Sequence, residues 1–207
     1  MKKRLSFIVC IAFLWITGIG LAADAPSKIG PFALNQNISD FKDYVIMETA
    51  LPIRHMENIE EVETKPIEGF KSGLIAYATC TAPGHLVRIK LKYLDSSKKF
   101  YEELLKRINK RFGDPIEYRG DPFHIVLGWK WSFVDKDNDR MSLTLQHNTG
   151  DEAEKRGNSI KLTMWSLIDK DRLCYKEKEL NQRERLRRRK WEVMVPKLKG
   201  WDRFVPR

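Results

Sequence analysis

Three aspartates at every second position, Asp135, Asp137 and Asp139, follow closely on Trp129 and Trp131 in the stretch IVLGWKWSFVDKDNDRMSL, residues 125–143. Alternating carboxylates supply the first three oxygen ligands of a helix-flanked calcium loop, but such a loop also takes a glycine for its sharp turn and a bidentate glutamate at its end. Arg140 and Gln146 stand at those two places. Asp and Asn are also ordinary turn residues, because their side chains bond their own backbone. The stretch is therefore read as a hairpin turn, with no metal ligand set. His55, His85, His124 and His147 are scattered along the chain. A general base must meet its partner by proximity, so an enzyme would have to bring His85, His147 and an acidic group together from distant positions. No nucleophile elbow, phosphate-binding loop, dinucleotide fingerprint or paired-histidine motif occurs, and neither a catalytic set nor a cofactor is assigned.

The densest chemistry is cationic. In RERLRRRKW, residues 183–191, Arg183, Arg185, Arg187, Arg188, Arg189 and Lys190 stand beside Trp191. Such a block suits an anionic surface, where each cation is worth about 1 kcal/mol near charged headgroups. The competing reading is a solvated helix face with intrahelical pairs, Glu179 to Arg183 and Glu184 to Arg188. A block of like charge repels itself, which favours an acidic partner.

The elements that must position these groups follow from periodicity. GLIAYATCTAPGHLVRIKLKYL, residues 73–94, gives two alternating runs around Pro83-Gly84, a turn dipeptide. Pairing about that turn sets Cys80, Ala78, Ala76 and Leu74 opposite Val87, Ile89, Leu91 and Tyr93, with Thr79, Tyr77 and Ile75 on the wet side with Arg88, Lys90 and Lys92. An amphipathic helix then spans Ser97 to Phe112, capped near Asp95–Ser97, carrying Phe100, Leu104, Leu105, Ile108 and Phe112 inward and stopped by Gly113 and Pro115. Phe123, Ile125, Leu127, Trp129, Trp131 and Phe133 share one parity and are expected to bury together; Phe133 should pair with Met141 across a turn at Asp135–Asp139. Ile160, Leu162, Met164 and Ile168 predict a further strand, and the segment from Asp169 a long, apolar-poor surface helix. Nearer the start, Ser39 is expected to cap a short helix through Val45, followed by two irregular strands. Together these predict an α+β fold: an antiparallel sheet of about five strands backed by one helix, plus a basic C-terminal helix.

The chain opens MKKRLSFIVCIAFLWITGIGLAADAPSK, with three basic residues, an apolar run and then small side chains, the layout of a secretory signal peptide. Cleavage is expected before Ala23, or just after it; an uncleaved leader anchored in the inner membrane is the alternative. The organisation is then a signal peptide at 1–22, a single domain at 23–168 and a basic helix and tail at 169–207. Residues 23–168 carry 21 basic and 21 acidic side chains, whereas residues 169–207 carry 14 and 7, so the net positive charge lies in the last segment. A basic chain ordinarily raises nucleic acid as a partner, but export to a periplasmic or extracellular compartment argues against it. The expected partner is an envelope protein or an anionic lipid or glycolipid surface. Outside the cytoplasm Cys80 and Cys174 can form a disulfide; they can equally be small buried apolar residues.

The helix running into RFGDP, followed by the hairpin WKWSF…MSLTL, resembles the small exported α/β domains of the outer-membrane assembly lipoprotein type, the small protein A family, and of the β-lactamase-inhibitor-protein fold. The likeness lies in the middle third of the chain. It implies a non-enzymatic envelope protein that works by binding another protein. Two departures stand out: no lipid-anchoring cysteine follows the leader, and a hairpin precedes the helix.

Overall fold

The computed structural model describes residues 24–150 and 156–194. The expected signal peptide and the tail beyond Met194, with Trp201 and Phe204, lie outside the described residues. The fold is α+β. A small sheet of β1 (Lys28–Ile29) and β2 (Phe32–Ala33) precedes an eight-stranded sheet. Its strands are β3 (Val45–Ile53), β4 (Met56–Thr64), β5 (Phe70–Ala78), β6 (Leu86–Tyr93), β7 (Glu117–Tyr118), β8 (Val126–Val134), β9 (Arg140–Asn148) and β10 (Gly157–Met164). They lie in the order β3-β4-β5-β6-β10-β9-β8-β7, with every neighbouring pair antiparallel. The expectation of about five strands is too low. β3 and β4 are regular enough to pair despite a bulge, which Thr49 fills by accepting from the N–H of Glu63 at 2.9 Å and donating to the carbonyl of Ile46 at 2.7 Å. The two-residue β7 adds the far edge by pairing with Trp129 and Lys130.

Helix α1 (Lys98–Phe112) starts where its cap demands: the Ser97 hydroxyl accepts from the N–H of Phe100 at 3.2 Å, and Gly113 ends it at φ +80°. It lies on the apolar face of the sheet. Phe100 meets Tyr93, Phe112 meets Phe133, and Tyr101 lies against His147, with ring centroids 5.1, 5.3 and 5.5 Å apart. On that face Val62, Ile75, Ile89, Leu91, Leu143, Leu145 and Leu162 line up across five strands, all buried. The Trp131 indole, also buried, donates to the Gly113 carbonyl at 2.9 Å and so ties helix end to sheet.

Burial holds Tyr93 and Tyr101 pushed up to about 12, and burial with a hydrogen bond to Glu60 pushes Tyr77 up as well. A phenol in the unfolded chain ionises near 10, so the unfolded state loses these protons first. The stability they confer is whole below pH 10 and drains away between pH 10 and 12. Urea midpoints measured across that window should fall steadily; a flat profile would show the phenols titrating freely.

Four local expectations are corrected. The β5–β6 register differs by three residues: Ile75 faces Ile89 and Ala76 faces Arg88. An odd slip exchanges the two faces of a strand. Ile75 and Tyr77 therefore join the core instead of the wet side, and Cys80 belongs to the connecting loop. The predicted apolar stripe before the aspartates is shorter than expected. Phe123 and Ile125 are exposed, because β8 begins only at Val126, where the Asp121 carboxylate gathers the N–H groups of Phe123 and Val126 into a turn. Ser39 caps nothing; Asn37 caps a single 3-10 turn at Ile38–Phe41, and Val45 already belongs to β3. Finally, β10 ends at Met164, and Trp165 begins helix α2 (Trp165–Met194), so Ile168 is a helical residue buried at the helix root.

Candidate functional site

The root of α2 is held from two sides. On one side the Asp171 carboxylate, fully buried, accepts from the backbone N–H groups of Thr79, Cys80 and Thr81 at 3.3, 2.8 and 2.6 Å and from the Asn58 amide at 3.2 Å. One turn further along the helix Cys174 bonds Cys80, with S–S 2.00 Å and a sequence separation of 94. The β5–β6 loop is thus tied to successive turns of one helix face. On the other side the β8–β9 turn holds it. Ser166 accepts from the Arg140 N–H at 2.7 Å, Arg140 pairs with Asp169 at 2.6 Å, and Lys170 with Asp139 at 3.5 Å.

Two of the three alternating aspartates now have structural work. Asp135 accepts from the N–H groups of Asp137 and Asp139 at 2.9 and 2.8 Å and shapes the turn around Asn138, whose φ is +62°. The hairpin pairs Phe133 with Met141, as its parity requires.

Beyond this root the helix stands clear. Every residue from Lys176 to Trp191 is exposed, a length of roughly 24 Å at helical rise. Arg183, Arg185, Arg187, Arg188, Arg189, Lys190 and Trp191 all lie on it. Neither Glu179–Arg183 nor Glu184–Arg188 closes into an ion pair among the described residues. The intrahelical pairing that would have neutralised the block is absent there. Leu180, Leu186 and Trp191 are 62%, 56% and 70% exposed, so apolar groups alternate with the cations on a helix that nothing described covers. No family model, curated protein or solved structure matches this chain.

The histidines do not converge. His85, immediately before β6, has its Nδ1 2.9 Å from the Asn35 carbonyl. His147 lies near the end of β9 and is buried, Nδ1 2.7 Å from Asn158 Oδ1. The strand register puts the two at opposite ends of the sheet, roughly 27 Å apart along the strands. Because the Asn158 amide donates to the carbonyls of Asp95 and Ser97 at 2.8 and 2.9 Å, its oxygen is the acceptor, and His147 carries its proton on Nδ1. His147 thus pins the start of α1 to the sheet.

Asp171, Asn158 and Tyr101 escape sequence reasoning. Asp171 sits in a helix of charged residues, where an acidic side chain looks solvated. Its one distinguishing signal is position: it precedes a cysteine by three residues, on the same helical face.

Proposed function

We propose that this is an exported, non-enzymatic binding or accessory protein of the cell envelope, whose projecting basic helix engages an anionic surface. The observation that carries the reading is the run from Lys176 to Trp191, exposed throughout, with Arg183, Arg185, Arg187, Arg188, Arg189 and Lys190 lacking ion-pair partners among the described residues. A helix gains nothing in its own fold from that arrangement, since like charges one turn apart repel. Approach to anionic headgroups reverses the sign of the term, and a tryptophan among the cations suits the interface between headgroup and acyl chain. The disulfide supports an oxidising destination. Among the described residues no helix is long and apolar enough to cross a membrane.

Vesicles containing phosphatidylglycerol should bind the protein at low salt, release it as ionic strength rises, and lose it when Arg187, Arg188, Arg189 and Lys190 are changed to Gln. Four cations at about 1 kcal/mol each predict a loss of two to three orders of magnitude, on the order of 4 kcal/mol. Binding that ignores both salt and the substitutions rejects the helix as the contact. Mass spectrometry of the protein recovered from cells tests the export arm: a chain starting at or next to Ala23 supports it, and an intact N-terminal Met1 in the soluble cytosol removes it.

A further inference from the structure

The polar face of the sheet carries a second concentration of cations, assembled from three strands. Lys161 of β10 stands directly opposite Lys90 of β6 on one side and Thr144 of β9 on the other, and Thr144 is opposite Lys130 of β8. Arg88 lies two residues from Lys90 on the same strand face. Like charges directly opposite each other destabilise a sheet. Lysines on edge strands guard against aggregation, but β10 is an interior strand. Lys161 is half-buried, and no carboxylate pairs with it among the described residues. Burial first, and then Arg88, Lys90, Arg119 and Lys130, hold its ammonium below the ordinary lysine range. The acidic groups on this face are committed or lie to one side: Glu117 is 3.3 Å from Lys130 and 3.0 Å from Arg119, Glu61 attracts Arg88, and Glu63 borders the neighbouring hollow.

That hollow, about 540 Å³, opens beside the cation row and is lined by Lys90 together with the neutral donors Ser72, Ser159, Gln146 and Asn148. Strands lie about 4.8 Å apart, so the row from Lys90 through Lys161 to Lys130 runs roughly 14 Å across the sheet. A single small anion reaches only part of it. Ammonium groups and hydroxyls meet a tetrahedral oxyanion from several directions, whereas planar carboxylates are best met by arginine forks.

We propose that this face binds a ligand bearing two or more linked phosphate groups, laid across the strands from the hollow past Lys90 and Lys161 toward Lys130. The site is separate from the projecting helix, and it stands or falls independently of the helix's role.

Calorimetry on the mature protein with inorganic tripolyphosphate tests it. Tripolyphosphate should bind, orthophosphate at least about tenfold more weakly, and Lys161→Gln or Lys130→Gln should weaken tripolyphosphate by about tenfold each. The Gln variants of Arg187 to Lys190 should leave it unchanged. Without ligand, Lys161→Gln should raise the melting temperature by about 2–4 °C, because it removes a repelled, half-buried charge; this rise also shows that the variant folds. Soluble poly(glycerol phosphate) and vesicles of cardiolipin, a lipid with two linked phosphates, distinguish sources. Lys161-dependent binding of the first assigns a phosphodiester polymer, of the second a lipid headgroup, and of tripolyphosphate alone a free polyphosphate. No tripolyphosphate binding, equal binding by Lys161→Gln, or a lower melting temperature for that variant overturns the proposal.

Discussion

Cys174→Ser will cost about 4–5 kcal/mol of unfolding free energy, measured by urea denaturation without reductant. The bond joins residues 94 apart in sequence, and the loop it closes in the unfolded chain is long. Chain-entropy estimates for a loop of that size give about 4–5 kcal/mol. For a domain of this size that is a large share of a total near 5–15 kcal/mol. Reduced wild-type protein and Cys80→Ser should show the same loss. A loss below about 1 kcal/mol would mean that the reduced chain already keeps the β5–β6 loop against α2 when unfolded. A consequence follows for the helix. Because the bond ties the last buried turn of α2, its removal should let the projecting segment swing and raise hydrogen exchange from Tyr175 onward before it alters the sheet.

Asp171→Ala should cost about 3–5 kcal/mol, the range for removing one partner from a buried charged network. Four donors converge on that carboxylate, the N–H groups of Thr79, Cys80 and Thr81 and the Asn58 amide. Alanine leaves the Cys80 and Thr81 N–H groups and the Asn58 amide without their acceptor at a position that is itself fully buried, while the Thr79 N–H keeps the Asn58 carbonyl at 3.2 Å. Asp171→Asn should lose nearly as much, because half of the new amide donates toward other donors. Asp171 and Cys174 hold the same loop one helical turn apart, so their losses should not add: the double variant should fall short of the sum by about 1 kcal/mol or more. Full additivity in urea denaturation would show that the two ties act on separate regions.

Both predictions depend on a loop that local sequence describes poorly. Pro83-Gly84 marks a turn correctly, and Gly84 indeed has φ +82°. The register of the flanking strands is nevertheless set elsewhere. Asp171, some ninety residues away, gathers the N–H groups of residues 79–81. This lengthens the connection until Ala78 bonds His85 and Gly84. Ile75 then turns inward, whereas Arg88 and Lys90 keep the outward face that periodicity expects. The adjacency of Lys90 and Lys161 is the product of the β6–β10 register, which a scan for charge runs does not show. The Arg183–Trp191 block, by contrast, is contiguous and can be picked out directly.

What the amino-acid sequence determined alone is whatever depends on neighbours a few residues apart: the Ser97 cap and Gly113 stop of α1, the Asp135–Asp139 turn with its Phe133–Met141 pairing, the α+β class and the basic helix. Short-range geometry decides these, and the required groups lie within one turn of helix or hairpin. Tertiary structure decided the eight-strand order, the slip of β5 against β6, the end of β10 at Met164 and the burial of Asp171. It also decided that the cations of three strands share one face. Each of these trades a local preference against apolar burial or a buried charge's demand for donors from distant segments, and that balance exists only once the chain has closed on itself.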